Sequence, residues 1–271
     1  LVIAMISFLT HLVLIYLKRY GLLNPFEESS FFDNPIAAIY TPFSFILVYE
    51  VYLLIFYLPR SITTYITKQY EIITLIVIRR IFKDLSNLEL SSDWFVIKND
   101  IYFTYDILTA ILLFFMIYLF SYLRENLDEL NVNTSLESPQ IQQFIKIKRI
   151  MATVLIPVFI GLGSFTFIGW ITTAIPSNIT SVIKDVNSLF FDEFFAVLII
   201  VDVLLLLVSF FYTDQFHKVI RNSGFIISTI LIRMSFSVDG VINNILIIAA
   251  IVFGLGILWI HNKFVKNLTP K

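Results

Sequence analysis

The sequence predicts an all-α integral membrane protein of about eight transmembrane helices, arranged as two tandem four-helix units in parallel orientation. Three observations lead to this prediction. The chain of 271 residues is 58% hydrophobic and only 14% charged, whereas soluble globular chains carry about 25% charged residues. Apolar stretches near the roughly 20 residues needed to cross a bilayer recur from end to end. Lysine and arginine are also unevenly divided between the loops on the two sides when eight segments are taken to span.

Six apolar segments are clear candidates for membrane-spanning helices. They are residues 1–17, 36–58, 101–122, 150–173, 194–213 and 241–260. Two further segments, 62–88 and 222–238, combine isoleucine-rich runs with arginines, and hydropathy by itself places them at the membrane interface. The sequence therefore allows eight spans, or six spans with two interfacial helices that carry arginine.

The positive-inside rule, by which Lys and Arg concentrate in cytoplasmic loops, distinguishes these two topologies. With six spans, the 19 Lys and Arg residues divide 9 against 10 between the two sides. With eight spans, four of them (Arg79, Arg80, Lys83 and Arg233) are embedded, and the other 15 divide 4 against 11. The sequence thus favours eight spans with both termini in the cytoplasm.

An internal repeat relates the two halves of the chain at an offset of 154 residues. Residues 53–83 align with residues 207–237 without a gap, and Arg79 falls opposite Arg233. An even number of spans separates the copies. They therefore have the same orientation, in contrast to the inverted repeats of many transporters.

The repeat divides the chain into three predicted regions. They are a first four-helix membrane unit at 1–123, a polar cytoplasmic linker at 124–149 and a second four-helix membrane unit at 150–271. In the two units Asp33 and Asp192 each follow a pair of phenylalanines, and we expect each aspartate to be a helix N-cap. Leu1 lies inside an apolar run, so we also expect further residues before it.

The third helix of each unit carries arginine within an apolar stretch. In the first unit, residues 76–84 read IVIRRIFKD, a short pattern of apolar, arginine, apolar and acidic positions. This segment is similar to the short third helix of the PsiE (phosphate-starvation-inducible) family of small four-helix membrane proteins. The resemblance covers about ten residues in each unit. It implies a four-helix fold for each unit and adds no activity.

Ionisable residues inside the predicted helices are the candidate functional residues. A charge at the bilayer centre costs about 2.5–3.5 kcal/mol on insertion scales, so such groups usually face the bundle interior and find a partner. We expect an intramembrane charge seam made of Glu50, Arg79, Arg80, Lys83, Asp106, Asp202, Arg233 and Asn244. Asn244 is included because it takes the place of Asp106 in the second copy of the repeat.

Helix depths at about 1.5 Å per residue predict how these side chains pair if their helices are neighbours. Arg79 reaches toward Glu50. Arg80 and Lys83 reach toward Asp106. In the second unit the expected pair is Arg233 with Asp202.

Two functions fit such a seam. The first is a protein that moves or senses cations, protons or voltage through the Arg/acid pairs, since one charge crossing 100 mV is worth about 2.3 kcal/mol. The second is a non-catalytic scaffold or subunit of a larger membrane complex, in which the polar contacts join helices and contribute about 1 kcal/mol or less each. The expected partners are the lipid bilayer, cations or protons, and other membrane subunits or further copies of the chain as a homo-oligomer.

Composition disfavours other functions. A net charge of −1 offers no basic surface for nucleic acid. With no Cys and three widely spaced His, we expect no metal site and no cofactor. No P-loop, dinucleotide fingerprint, nucleophile elbow or HExxH motif occurs, so we expect no enzyme. High Ile, Phe, Asn and Lys usage is typical of AT-rich genomes and favours a bacterial inner membrane.

Overall fold

The computed structural model describes residues 2–21, 38, 40–85, 98–131, 139–174, 179–212, 215–238 and 240–268. This part of the chain contains eight α-helices: α1 (Val2–Arg19), α2 (Tyr40–Tyr57), α3 (Ile62–Leu85), α4 (Lys98–Asn131), α5 (Pro139–Ala174), α6 (Ile179–Tyr212), α7 (Phe216–Ser235) and α8 (Val241–Leu268). Among the described residues, α1, α4, α6 and α8 contain segments long and apolar enough to cross a membrane. The fold is all-α and consistent with an α-helical membrane protein.

Each of the eight segments singled out in the sequence overlaps one helix, in the same order. The two ambiguous segments form α3 and α7, continuous helices of 24 and 20 residues. At about 1.5 Å per residue, each is at least as long as the roughly 30 Å hydrocarbon core of a bilayer.

The linker predicted at 124–149 is helical wherever it is described. Helix α4 continues to Asn131, and α5 begins at Pro139. The arginine, glutamates and leucines that follow the apolar part of α4 are good helix formers. Proline is favoured at the first helical position, because its missing N–H would be unpaired there in any residue. Hydropathy therefore located the apolar parts of α4 and α5 but underestimated their lengths.

The N-cap expected at Asp192 is wrong. Helix α6 begins at Ile179, so the backbone of Asp192 lies inside the helix. The thirteen residues that precede Asp192, of mixed polarity, continue the helix in the N-terminal direction. The corresponding expectation for Asp33 falls outside the described residues.

Helices α3, α4, α7 and α8 form the centre of the fold. Helix α3 packs on α4 and α7 packs on α8, and the two pairs are joined by contacts between α3 and α7 and between α4 and α8. Helix α2 lies against α3, and α6 lies against α7. Helix α1 covers α2, while α5 packs on both α6 and α2. Helices α3 and α7, which carry Arg79, Arg80 and Arg233, are thus enclosed by neighbours.

Tyr70 lies at the middle of this central bundle and is fully buried. Its ring packs edge-on against Phe120 of α4, with centroids 5.1 Å apart. Its hydroxyl lies 2.7 Å from Ser228 Oγ of α7, and Ser228 in turn donates to the carbonyl of Ala250 in α8 at 2.6 Å. Gly254 of α8 makes room for the tyrosine, because a Cβ at that position would overlap Tyr70 Oη.

Replacing Gly254 by Ala should lower the thermal unfolding midpoint of the purified protein in detergent. An added methyl group collides with a buried ring that cannot swing aside, and such overpacking costs about 1–3 kcal/mol. Gly256→Ala is the matched control on the same helix, because a Cβ there meets no heavy atom within 4 Å. The control should be neutral or slightly stabilising. Equal midpoints for the two variants would contradict this packing.

Lys148 joins α5 to the turn between α2 and α3. Only 2% of the residue is exposed. Its Nζ donates to the backbone carbonyl of Arg60 and lies 5.0 Å from the centroid of the Phe144 ring. Burial lowers the pKa of Lys148 from 10.5 to about 8, because desolvation disfavours the charged form.

Stability should therefore rise with pH between about 8 and 10.5 through Lys148. In this window the unfolded chain holds a proton on Lys148 that the folded protein has released, and stability increases with pH wherever the unfolded state binds more protons. The cost of keeping Lys148 charged at pH 7 is about 3 kcal/mol. Lys148→Met should raise the unfolding midpoint at pH 7 and flatten its rise from pH 8 to 10.

Lys146→Met is the control for this experiment, since Lys146 is exposed two residues away on α5. It should leave both the midpoint and the pH profile close to those of the unmodified protein. A Lys148→Met variant that retains the original pH profile would refute the assignment.

Candidate functional site

Arg79 on α3 forms a buried ion pair with Glu50 on α2. Arg79 Nη2 donates to Glu50 Oε2 at 2.6 Å, and the two side chains are 7% and 4% exposed. This is a charge-assisted hydrogen bond of the strong kind. The other carboxylate oxygen, Glu50 Oε1, is buried and has no hydrogen-bond partner among the described residues. The Arg79–Glu50 pair has no net charge, and within the described residues Glu50 Oε1 accepts no hydrogen bond.

Arg233 on α7 pairs with Asp202 on α6 inside a larger polar cluster. Arg233 Nη2 lies 2.9 Å from Asp202 Oδ2 and donates to Gln69 Oε1 at 3.0 Å. The Asp202 carboxylate also accepts from Gln69 Nε2 at 3.2 Å, from the Tyr65 hydroxyl at 3.1 Å and from the Thr229 hydroxyl at 3.2 Å. Asp202 is fully buried. These donors replace the water that the carboxylate loses on burial.

Arg80 on α3 forms a third pair, with Asp106 on α4. Its Nη2 donates to Asp106 Oδ1 at 2.8 Å and its Nε donates to Oδ2, which makes the pair bidentate. Arg80 also donates to the side-chain oxygens of Asn243 and Asn244 on α8. Asn244 Nδ2 donates to Asp106 Oδ1 at 2.6 Å. The Arg80 side chain is 27% exposed, so this cluster is nearer to the protein surface than the other two.

The structure thus brings together the side chains whose pairing was expected from the sequence. Arg79 meets Glu50, Arg80 meets Asp106, and Arg233 meets Asp202. Asn244 joins the Arg80 cluster. Lys83 belongs to α3, but its side chain lies outside the described part of the structure. That these groups sit within a bilayer stays a prediction.

Four neutral side chains of the site were missed by the sequence analysis. They are Tyr65, Gln69, Thr229 and Asn243. Charge within an apolar stretch was the signal for the other members of the site, and these hydroxyl and amide groups carry no charge. One signal was present: Tyr65 and Gln69 are four residues apart on α3, so both fall on one face of the helix.

Two of the three clusters connect the two predicted units. Gln69 of the first unit bonds to Asp202 and Arg233 of the second. Asp106 meets Asn244, 138 positions further on, and Asn262 Nδ2 donates to the carbonyl of Leu123, 139 positions before it. Helices α4 and α8 therefore run parallel, in the register that aligns Asp106 with Asn244. The duplication itself stays a prediction.

Histidines form a separate contact at the start of α7. The His217 and His261 rings stack with centroids 5.2 Å apart, and Arg221 Nη1 lies 3.2 Å from His261 Nε2. A guanidinium beside the imidazoles disfavours a bound cation. Across the described residues, no group of three or more His, Cys, Asp or Glu side chains could hold a metal ion.

The fold and the paired charges are consistent with the class of α-helical membrane proteins, and the four apolar helices are compatible with integration into a membrane. In comparisons with protein-family models, curated proteins and solved structures, none matched this chain. The similarity of residues 76–84 to the PsiE family therefore stays a prediction.

Replacing Arg79 by Met should destabilise the protein strongly, because Glu50 is then buried without its countercharge. Breaking a buried pair in this way costs about 3–5 kcal/mol. The double variant Glu50→Gln/Arg79→Met should recover most of the loss, since both groups are then neutral. Thermal unfolding in detergent measures both effects.

Lys68→Met is the matched control on the same helix. Lys68 forms a 2.6 Å pair with Glu71, but the two side chains are 26% and 38% exposed. Water and salt screen such a pair, so the change should stay below about 1 kcal/mol. Similar losses for Arg79→Met and Lys68→Met would show that burial does not govern the effect.

Proposed function

We propose that all eight helices span a membrane, with both termini in the cytoplasm of a bacterial cell. Helix α3 runs antiparallel along α4, from the contact of Arg80 with Asp106 to that of Tyr70 with Phe120. A helix lying in the membrane interface would cross a spanning neighbour such as α4 instead of running beside it. This arrangement supports eight spans over six.

Helix α7 supports the same topology in the second half. It runs antiparallel along α8, where Asn243 donates to the carbonyl of Ser235 and Ser228 donates to that of Ala250. The excess of Lys and Arg on one side, 11 against 4, orients the bundle with its termini inward. In this proposal each half of the chain forms a four-helix membrane unit, as PsiE proteins do.

We propose further that the protein senses or moves protons through its Arg/acid pairs. The observation that carries this proposal is the pair of buried carboxylates, Glu50 and Asp202, each held by an arginine on the next helix. Ionisable groups in such a position are functional candidates by default. Among the described residues no group of three or more His, Cys, Asp or Glu side chains could hold a metal ion, which favours the proton over a metal cation.

Proton binding would change the helix contacts in a defined way. A carboxylate can be neutralised, whereas arginine keeps its charge. A proton on Glu50 therefore removes the countercharge that Glu50 supplies to the buried Arg79 guanidinium, which favours separation of α2 from α3. Because Arg80 binds Asp106 on α4, the adjacent arginines hold α3 between two carboxylates. Loss of one pair would free α3 on one side, and membrane potential would act on the displaced charge.

A scaffold or subunit of a larger membrane complex is the second candidate. The observation in its favour is that these acids already have hydrogen-bond partners within the protein. Asp202 accepts bonds from four side chains, and Asp106 is bound by Arg80 and Asn244. Such contacts hold helices together without any transported ion. The partners would then be other membrane subunits or a second copy of the chain.

A topology reporter fused after Leu90 should be located outside the cytoplasm. This follows if α3 crosses the membrane from an inner end at Ile62. The measurement is the ratio of alkaline phosphatase to fluorescent-protein activity for matched fusions in cells. A cytoplasmic signal after Leu90 would return the topology to six spans with two interfacial helices.

Asp202→Asn and Glu50→Gln should each reduce proton flux at least tenfold in proteoliposomes driven by a potassium diffusion potential. The amide keeps the shape of the carboxylate but cannot bind the proton. Glu71→Gln is the control, because Glu71 is an acid on α3 that is 38% exposed; its flux should match that of the unmodified protein. Arg79→Gln and Arg233→Gln, which remove the other half of each pair, should also change the flux.

Absence of flux in the unmodified protein, with the four variants only less stable, would reject the proton proposal. That result would favour the scaffold, which purification with intact partners would then test.

A further inference from the structure

A small cavity lies beside Arg233, where α2, α3, α6 and α7 meet. Its volume is about 10 Å³. Three polar side chains line it: Gln69, Thr229 and Arg233. The rest of the wall is apolar and is formed by Leu54, Ile72, Ile73, Phe195, Leu198 and Ile232. The cavity thus has a polar end within an otherwise hydrophobic wall.

The guanidinium of Arg233 has one nitrogen that is not satisfied by its neighbours. Its Nη2 serves both Asp202 and Gln69. Its Nη1 is buried and has no hydrogen-bond partner in the described part of the protein. A buried donor left unsatisfied costs about 1–3 kcal/mol, and more when the group is charged. An acceptor in the adjoining cavity would remove this cost.

We propose that the cavity binds a single water molecule. The water accepts a hydrogen bond from Arg233 Nη1 and donates to Gln69 Oε1 and Thr229 Oγ1. Gln69 Oε1 accepts one bond from Arg233 and has a second lone pair. Thr229 acts as a donor toward Asp202, which leaves its oxygen able to accept. Three hydrogen bonds are the usual number for a buried water.

Size and charge both select water over other ligands. A buried water needs about 10–15 Å³, whereas pockets for organic ligands measure about 300–1,000 Å³. A chloride ion would add a negative charge to a cluster in which Arg233 and Asp202 already balance each other. Burying an unbalanced ion costs several kcal/mol. The hydration site is a property of the folded protein and does not depend on proton movement.

Solid-state NMR of the lipid-embedded protein tests the proposal, with ¹⁵N-arginine as the label. The sequence has eight arginines, so the guanidinium signals are few. Magnetisation is transferred from water protons at low temperature, where guanidinium protons exchange slowly with bulk water. Arg233 Nη1 should receive magnetisation at short mixing times, although its side chain is only 3% exposed.

Ile73→Phe is the matched variant, because the larger side chain fills the cavity from the α3 wall. Transfer to Arg233 Nη1 should fall at least fivefold, while the ¹⁵N chemical shift of Arg233 Nη2, which binds Asp202, stays unchanged. If Ile73→Phe does not fold, Leu198→Phe fills the space from the α6 wall. Transfer to Arg233 Nη1 in the unmodified protein tests the proposal even without a variant. No transfer in the unmodified protein would overturn the proposal. So would a shift of the Nη1 signal when chloride is replaced by gluconate, since that identifies a bound anion.

Discussion

The rest of the structure depends on the need of each buried arginine for a carboxylate on an adjoining helix. Arginine cannot lose its proton under ordinary conditions, so burial without a countercharge is costly. Arg79 requires Glu50 and thereby holds α2 against α3. Arg80 draws α4 to the other side of α3. Arg233 requires Asp202 in the same way, and this pair holds α6 against α7.

Neutral polar side chains connect these pairs into a network across the middle of the molecule. Gln69 uses its oxygen for Arg233 and its nitrogen for Asp202, and so ties α3 to both α6 and α7. Asn244 uses its oxygen for Arg80 and its nitrogen for Asp106, and so ties α8 to both α3 and α4. A change at any one acid therefore alters contacts on several helices. This connectivity suits a proton-responsive protein and a rigid scaffold alike, and flux measurements separate the two.

Hydropathy and charge succeeded where the physics is local. Apolar runs mark the helices because unpaired backbone is costly in lipid. The depth of each charge along its helix indicated which acid each arginine could reach if their helices were neighbours. The same reasoning failed at helix ends. Helix α4 continues to Asn131 and α6 begins at Ile179, because helix propensity does not stop where hydrophobicity does. Asp192 lies inside α6 for this reason.

The sequence by itself determined the all-helical class, the order of the eight helices and which acid each arginine could reach if their helices were neighbours. Each of these follows from the high cost of burying a lone charge or an unpaired peptide group. Only the tertiary structure decided that Gln69, Tyr65 and Thr229 complete the Asp202 cluster and that α4 lies beside α8. Neutral polar groups have many acceptable partners, so their choice depends on which helices pack together, and no local pattern in the chain specifies that packing.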